Sequence, residues 1–195
     1  AQEIERRCGS PDHQGICAEV SAFPYTDEAE LLDAASGLIV ALDQVQDPQN
    51  LGAICRTAEC AGAVAVVIPE RRSAEVTPAV CKASAGAVEH LSVARVRNLA
   101  DFLAAAKQRG LWCYGADATA TRRYDEVAYG ATVVLVLGSE GRGLRPRVAS
   151  QCDELVTIPV RGRIESLSVS GAAAVLIYGI AERRHGPAGA PLTSA

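Results

Sequence analysis

From residue 37 onward, short runs of Val, Ile, Leu and Ala alternate with stretches whose apolar positions recur at helical spacing. The runs "GLIVALDQV", "AVAVVIP", "EHLSVARV", "LWCYGAD", "ATVVLVLG" and "DELVTIPV" predict strands over 37–45, 63–69, 89–96, 111–117, 131–138 and 153–160. Between them, "DPQNLGAICRTAECAGA" predicts a helix that stops at Gly62, and "VTPAVCKASAGA" a short helix. "NLADFLAAAKQRG" predicts a helix stopped by Gly110, "LRPRVASQC" another short one, and "SLSVSGAAAVLIYGIAERR" a long closing helix. The strand runs are nearly continuous in apolar residues instead of alternating, so both faces of the sheet must be covered. The expected fold is therefore α/β, with a mostly parallel sheet between two layers of helices.

The ends of the chain read differently. Residues 1–16 are polar and broken by Gly and Pro, which predicts a linker or frayed start. A short strand is expected over 17–22, followed by a helix in "TDEAELLDAA" with Thr26 as N-cap and acids in its first turn. The tail "HGPAGAPLTSA", 185–195, reads as disordered.

The 195 residues suit one domain, and 49% apolar content is enough to fill its core. The net charge of −4 provides no overall basic field for nucleic acid. Lys82 and Lys107 are the only lysines, so arginine makes up the other seventeen of the 19 basic residues. Arginine is the better fork for phosphate, although a biased base composition gives the same excess. Seven scattered cysteines without a CxxC pair point to reduced structural thiols in a cytoplasmic protein, and to no disulfide framework or metal site. No apolar run approaches the ~18–20 residues of a membrane span, and no signal-peptide pattern is visible. The absence of Met, even at position 1, predicts a chain that starts downstream of a natural initiator.

In parallel sheets ligands sit beyond the carboxyl ends of strands, which singles out three loops. In "DPQNLGAICRTAECAG", Asp47-Pro48 signals a helix start. Asn50 and Arg56 are six residues apart and share a face only if Asn50 belongs to the capping turn. An arginine in this apolar helix either has a partner or snorkels from its edge. In "LVLGSEGRGL", Gly138, Gly141 and Gly143 follow a strand, but in the order G-x-x-G-x-G. The dinucleotide fingerprint, the P-loop and the nucleophile elbow are all absent. Glu140 would repel a phosphate, so a neutral or cationic ligand, or an arginine such as Arg56, suits this loop better. Glycine has an entropic cost unless the backbone demands it, so three in six residues imply a constrained loop. In "IPVRGRIESLSVSGAAAVLIYG", a strand end leads through Arg161 and Arg163 to Ser166 and Ser170 at a helix start, whose free N–H groups are available.

Together, in order and spacing, these three stretches resemble the three motifs of the SpoU branch of the SPOUT RNA ribose methyltransferases, over residues 36–184. "HQGICAEV" at 13–20 is similar to the junction with the N-terminal RNA-binding domain in the 23S rRNA guanosine 2′-O-methyltransferases of that branch. The resemblance implies a catalytic domain at 36–184, a junction at 1–35, a deep C-terminal trefoil knot and a homodimer. It implies S-adenosylmethionine as cofactor, held by Leu137, Gly138, Gly141, Ile158, Val160 and Leu167. The family's catalytic arginine falls on Arg56, its polar partners on Asn50 and Glu140, and its active-site serine on Ser166. Arginine is a poor base at a pKa above ~12, so Arg56 is expected to orient the ribose hydroxyl and stabilise charge, with Glu140 facing it.

One position departs from the family pattern S-L-N-V-S, because Ser168 stands at the asparagine position. Serine keeps a hydroxyl but loses the amide's reach and its second donor. The implied reaction is methyl transfer to a ribose 2′-hydroxyl of structured RNA, with 23S rRNA as substrate. The alternatives are a tRNA substrate, or a weakly active RNA- or ligand-binding relative. Arg142, Arg145, Arg161 and Arg163, with Arg147 nearby, form the expected RNA contact beside the site.

Overall fold

The computed structural model describes residues 2–9, 15–164 and 166–184. Seven strands, β1 (Leu38–Asp43), β2 (Ala65–Pro69), β3 (Ser92–Val96), β4 (Trp112–Ala116), β5 (Arg122–Arg123), β6 (Val133–Gly138) and β7 (Glu154–Thr157), form one sheet. Its order is β3-β2-β1-β6-β4-β7-β5, and every pairing is parallel. Seven helices accompany it: α1 (Gln2–Cys8), α2 (Glu28–Ala34), α3 (Pro48–Cys60), α4 (Pro78–Ala83), α5 (Leu99–Gln108), α6 (Pro146–Ala149) and α7 (Val169–Arg184).

β1 shows why the strand runs are continuous. Leu38, Val40 and Leu42 point into one cluster, packed by Leu51, Ile54 and Cys55 of α3, Val80 of α4, and Leu176, Ile177 and Ile180 of α7. Ile39 and Ala41 point into the other, packed by Leu31 and Leu32 of α2, Phe102 and Leu103 of α5, and Val148 of α6. Alternate side chains therefore serve two cores, and neither face can be polar. Each fully buried Leu or Ile contributes about 1.5–3 kcal/mol relative to exposure. The α/β architecture with both faces covered is as the pattern predicts.

Boundaries and small elements differ. Residues 2–8 form a helix where a linker is expected, stitched by Glu3 to Arg6 at 2.8 Å and to Arg7 at 3.0 Å. The expected strand at 17–22 is absent: Ile16 and Val20 are exposed, and apolar residues without a partner strand have no reason to extend into a ladder. Only Thr26 bridges the sheet, at Ala94. The cap of α2 is Asp27 and not Thr26, its carboxylate accepting from the N–H groups of Ala29 and Glu30. α2 lies within 1–35 yet buries Leu31 and Leu32 in the core, so the compact unit begins before residue 36. β7 stops at Thr157, leaving Ile158 to Val160 as loop, and α7 begins at Val169, leaving Ser166 to Ser168 outside it. The two-residue β5 and the 3-10 turns at Ala87–Glu89 and Tyr124–Glu126 have no periodic signal. The tail expectation for 185–195 lies outside the described residues. No described helix is long and apolar enough to cross a membrane.

Candidate functional site

The strand order reverses at β1 and β6, the arrangement that opens a crevice at carboxyl ends. Beyond β4, β6 and β7 lies a cavity of about 540 Å³, within the roughly 300–1,000 Å³ usual for ligand pockets. Its walls are Ala116 to Ala118 at the end of β4, Leu137 to Gly141 with Gly143 at the end of β6, Val156 to Ile158 with Val160 at and beyond the end of β7, and Ser166 to Val169 at the start of α7.

The glycines of the β6 loop each have a reason. A Cβ on Gly138 would lie 2.2 Å from the carbonyl carbon of Gly143 and 2.5 Å from the nitrogen of Leu144, so the loop folds back onto its own strand end only if residue 138 has no side chain. Gly141 and Gly143 adopt φ of 74° and 65°, the left-handed region that glycine enters freely. Gly143 N–H donates to the Ser139 carbonyl at 3.0 Å and closes the turn.

Two acids anchor this loop. Glu140 Oε1 accepts from Asn50 Nδ2 at 3.3 Å and from the Val169 N–H at 3.2 Å, joining the loop to the first turns of α3 and α7. Val169 is the first residue of α7, so its N–H has no partner within the helix, and a carboxylate there also meets the positive end of the helix dipole. On the other side, the completely buried Asp43 at the end of β1 accepts hydrogen bonds from Arg145 N–H at 2.8 Å and Nε at 2.7 Å, and its carboxylate forms an ion pair with Nη2 at 2.7 Å. A buried carboxylate needs this pairing.

Ser168 caps α7: its carbonyl accepts from Ala172 N–H at 2.9 Å and its Oγ accepts from Gly171 N–H at 3.1 Å. Leu167 and Val160 remain 49% exposed at the cavity mouth, an unusual placement for apolar side chains.

Of the expected cofactor residues, Leu137, Gly138, Gly141, Ile158, Val160 and Leu167 all line the cavity, as do Glu140, Ser166 and Ser168. Asn50 lies in an adjoining depression that shares Ser139, Glu140 and Val169 with it. The expected Glu140–Arg56 pairing is not found. Glu140 engages Asn50 instead, while Arg56 is exposed and forms no hydrogen bond or ion pair with the described residues. The reason is helical: Asn50 is inside α3 and not in a turn before it, and six residues place Arg56 about 120° around the helix from it and about 9 Å along the axis. Among the expected RNA contacts, Arg142 lines the adjoining depression, and Arg161 and Arg163 are exposed. The fork of Arg145 is committed to Asp43.

Three residues escaped the sequence reading. Asp117, after β4, lines the cavity and holds its loop through Thr119 N–H at 2.7 Å and Oγ1 at 2.6 Å. Thr157 lines it from β7. Asp43 closes an otherwise apolar strand; a lone acid ending such a run, facing an arginine a hundred residues on, is the signal that was there.

Comparison with known proteins gives a consistent picture. The SpoU rRNA Methylase family model matches residues 37–178. The chain is 42% identical over 178 residues to a Bacillus subtilis protein, YacO, assigned to the TrmH family of tRNA/rRNA methyltransferases, covering 89% of this chain and 72% of that one. Among solved structures, an AdoMet-bound rRNA methyltransferase from Sinorhizobium meliloti superposes with a TM-score of 0.76 at 28% identity, over 85% of this chain and 62% of that one. An RNA 2′-O ribose methyltransferase superposes with a TM-score of 0.70 at 29% identity, over 86% and 62%. The chain thus spans less than two thirds of each of these two structures.

Proposed function

Because the chain belongs to the SpoU rRNA methylase family, we propose that it methylates a ribose 2′-hydroxyl of structured RNA, with S-adenosylmethionine as donor. The observation that carries this reading is the β6 loop: glycines pressed backbone to backbone, with Glu140 hydrogen-bonded at the wall of a 540 Å³ cavity. A phosphate ligand would be repelled by Glu140 and Asp117, whereas a neutral adenosine carrying a sulfonium is not. The apolar side chains of Leu137, Ile158 and Leu167 suit the adenosyl group, and the loop backbone supplies polar contacts to it. When bound, the cofactor supplies an electrophilic methyl group.

The chain's own part is positioning. Glu140 and Asn50 fix the loop against the first turns of α3 and α7, which sets where a ribose can lie over the cavity. Ser166 offers a hydroxyl at the mouth. Arg56, exposed and without an ion-pair partner among the described residues, keeps its fork for the RNA, where it orients the hydroxyl and stabilises charge. Large-subunit rRNA, at a guanosine, is the substrate we favour. Ser168 keeps a second reading in view, a tRNA target or a weakly active RNA-binding relative, because its hydroxyl is used in capping α7. We further read residues 36–184, extended by α2, as the catalytic domain, knotted through the β6 and β7 loops and acting as a cytoplasmic homodimer. The exposed Val175 and Tyr178 on α7 support an assembly surface there.

Calorimetry with S-adenosylmethionine tests the premise, and no binding overturns it. Arg56→Ala should lower methyl transfer to total rRNA or tRNA by about a hundredfold or more, with cofactor affinity unchanged. Loss of both together would refute the role given to Arg56.

A further inference from the structure

The carboxyl edge of the sheet carries a second depression, on the other side of β1. A cleft of about 310 Å³ opens beyond β1, β2 and β3, lined by Arg71, Arg72, Arg97, Arg145 and Arg147 and by no acidic residue. Two of these arginines are occupied: Arg145 by Asp43, and Arg147 by Asp101 at 2.6 Å. Arg71, Arg72 and Arg97 are exposed and form no hydrogen bond or ion pair with the described residues. Three guanidinium groups without a direct ion pair to the described residues converge on one concavity in a chain whose net charge is −4.

Several features mark the cleft as built for an anion. The first turn of α5, at Leu99 and Ala100, forms its floor, adding the positive end of a ten-residue helix. Gln44 and Arg72, at φ of 64° and 59°, are two of the three described non-glycine residues in the left-handed region, and both line it. Backbone held in that region has a cost that surrounding structure must offset, and such residues gather at binding sites. The acids nearby, Glu28, Glu70 and Asp101, line an adjoining depression that shares Arg71, Arg97 and Asn98 with the cleft, and none of them lines the cleft itself.

The cleft also connects to the methyl-transfer cavity. The depression that holds Asn50 and Arg142 shares Gln44 with the arginine cleft, and Ser139, Glu140 and Val169 with the cavity. The three form one trough along the carboxyl edge. Resting on the reading of the chain as an RNA methyltransferase, we infer that Arg71, Arg72 and Arg97 bind the phosphodiester backbone of the RNA beside the modified ribose. From β4, over the cavity, to β2, over the cleft, there are three strand spacings, about 14 Å. The contacted phosphates therefore lie only a few nucleotides from the target. Guanidinium forks suit phosphate oxygens, and these contacts position the strand without reading its sequence.

The test uses the 195-residue chain and a fluorescein-labelled 20-nucleotide single-stranded RNA, titrated by anisotropy from 50 to 200 mM salt. The triple variant R71E/R72E/R97E is expected to bind at least tenfold more weakly at low salt. The salt slope should fall by about 2, three contacts at about 0.7 each for a single strand. R71Q/R72Q/R97Q should shift both in the same direction by less, and R6E/R7E, at two arginines that line none of the three depressions, should change neither. All five positions are exposed, so thermal melts should stay within a few degrees of the parent. Unchanged RNA affinity and salt slope in the triple variants overturn the inference. So does tight binding of inorganic phosphate to the parent chain, lost in R71E/R72E/R97E while RNA binding persists, because the cleft is then a small-anion site. Cofactor calorimetry separates the two readings: a chain that binds S-adenosylmethionine but whose triple variants bind RNA normally sinks this inference alone. Absence of cofactor binding would sink the methyltransferase reading and leave the anisotropy result to judge the cleft.

Discussion

Removing the guanidinium of Arg145 should destabilise the whole domain, because Asp43 has no other ion-pair partner among the described residues. Its carboxylate is fully buried and accepts two hydrogen bonds from one residue, one of them from the guanidinium Nε at 2.7 Å, with Nη2 in ion-pair contact at 2.7 Å. Hydrogen bonds to charged groups contribute about 1.5–3 kcal/mol each, and stranding one member of a buried pair costs about 3–5 kcal/mol. Arg145 itself is 43% exposed, so water would reach part of the space it leaves, and the lower end applies: about 2–3 kcal/mol. Arg145→Met keeps the apolar stem and isolates the charge. With a urea slope of about 2 kcal/mol per M, the midpoint should fall by about 1–1.5 M. Asp43→Asn, combined with Arg145→Met in a double-mutant cycle, should give a coupling of at least about 1 kcal/mol. If Arg145→Met moves the urea midpoint by less than about 0.25 M and weakens only RNA binding, then Arg145 is an RNA contact as its sequence context suggested. The pairing with Asp43 would then be incidental, and the reasoning fails.

Three further outcomes are expected. Gly138→Ala places a Cβ 2.2 Å from backbone, which forces the loop away; about 1–3 kcal/mol of stability should be lost, with cofactor affinity down at least tenfold by calorimetry. Ser168→Ala removes the cap of α7 and should cost about 1 kcal/mol by urea titration, whereas Ser168→Asn, an equally good cap, should stay within about 0.5 kcal/mol. Burial pushes the Cys55 and Cys113 thiols up to about 12. Unfolded thiols ionise near 8.5, so between about pH 9 and 12 the unfolded chain holds fewer protons. Stability is then intact below pH 8.5 and should fall by up to about 2.7 kcal/mol per pH unit for the two groups above it. The Cys55→Ala/Cys113→Ala variant should show a flatter alkaline limb in urea titrations at stepped pH, and an unchanged slope would rule out this source.

The architecture was legible because strand runs and helix periods are repeated, redundant signals. A single misjudged residue does not erase the five strands between 38 and 138 that each exceed four residues. Short elements lack that redundancy. β5 has two residues and pairs only through β7, so nothing local distinguishes Arg122–Arg123 from loop. The site was legible in the same uneven way. Ordered motifs placed the glycine loop, Ile158 and Leu167 around one cavity, because the first two follow strand ends that the parallel sheet brings together and Leu167 precedes the helix that packs over them. The partners of the charges were not legible. Whether Glu140 meets Arg56 or Asn50 depends on where α3 starts, and each residue of shift turns a side chain by about 100° around the helix.

Ser168 illustrates how a position can satisfy the fold while leaving the chemistry to vary. Serine and asparagine rank together as N-caps because each offers one short-range acceptor to the N2 or N3 amide. Here that acceptor is the Oγ bonded to Gly171 N–H, so α7 begins where it does with either residue. What differs is the remaining capacity. Serine has a single rotatable hydroxyl, already within 3.3 Å of Ser170 Oγ, whereas an asparagine in the cap keeps two amide donors to turn toward the cavity. The exchange should therefore be nearly silent in stability and be read in methyl transfer. A Ser168→Asn variant that melts like the parent but turns over several-fold faster would place the missing donors at the ribose. An unchanged rate would show that the neighbouring Ser166 and the Asn50–Glu140 pair suffice to hold it.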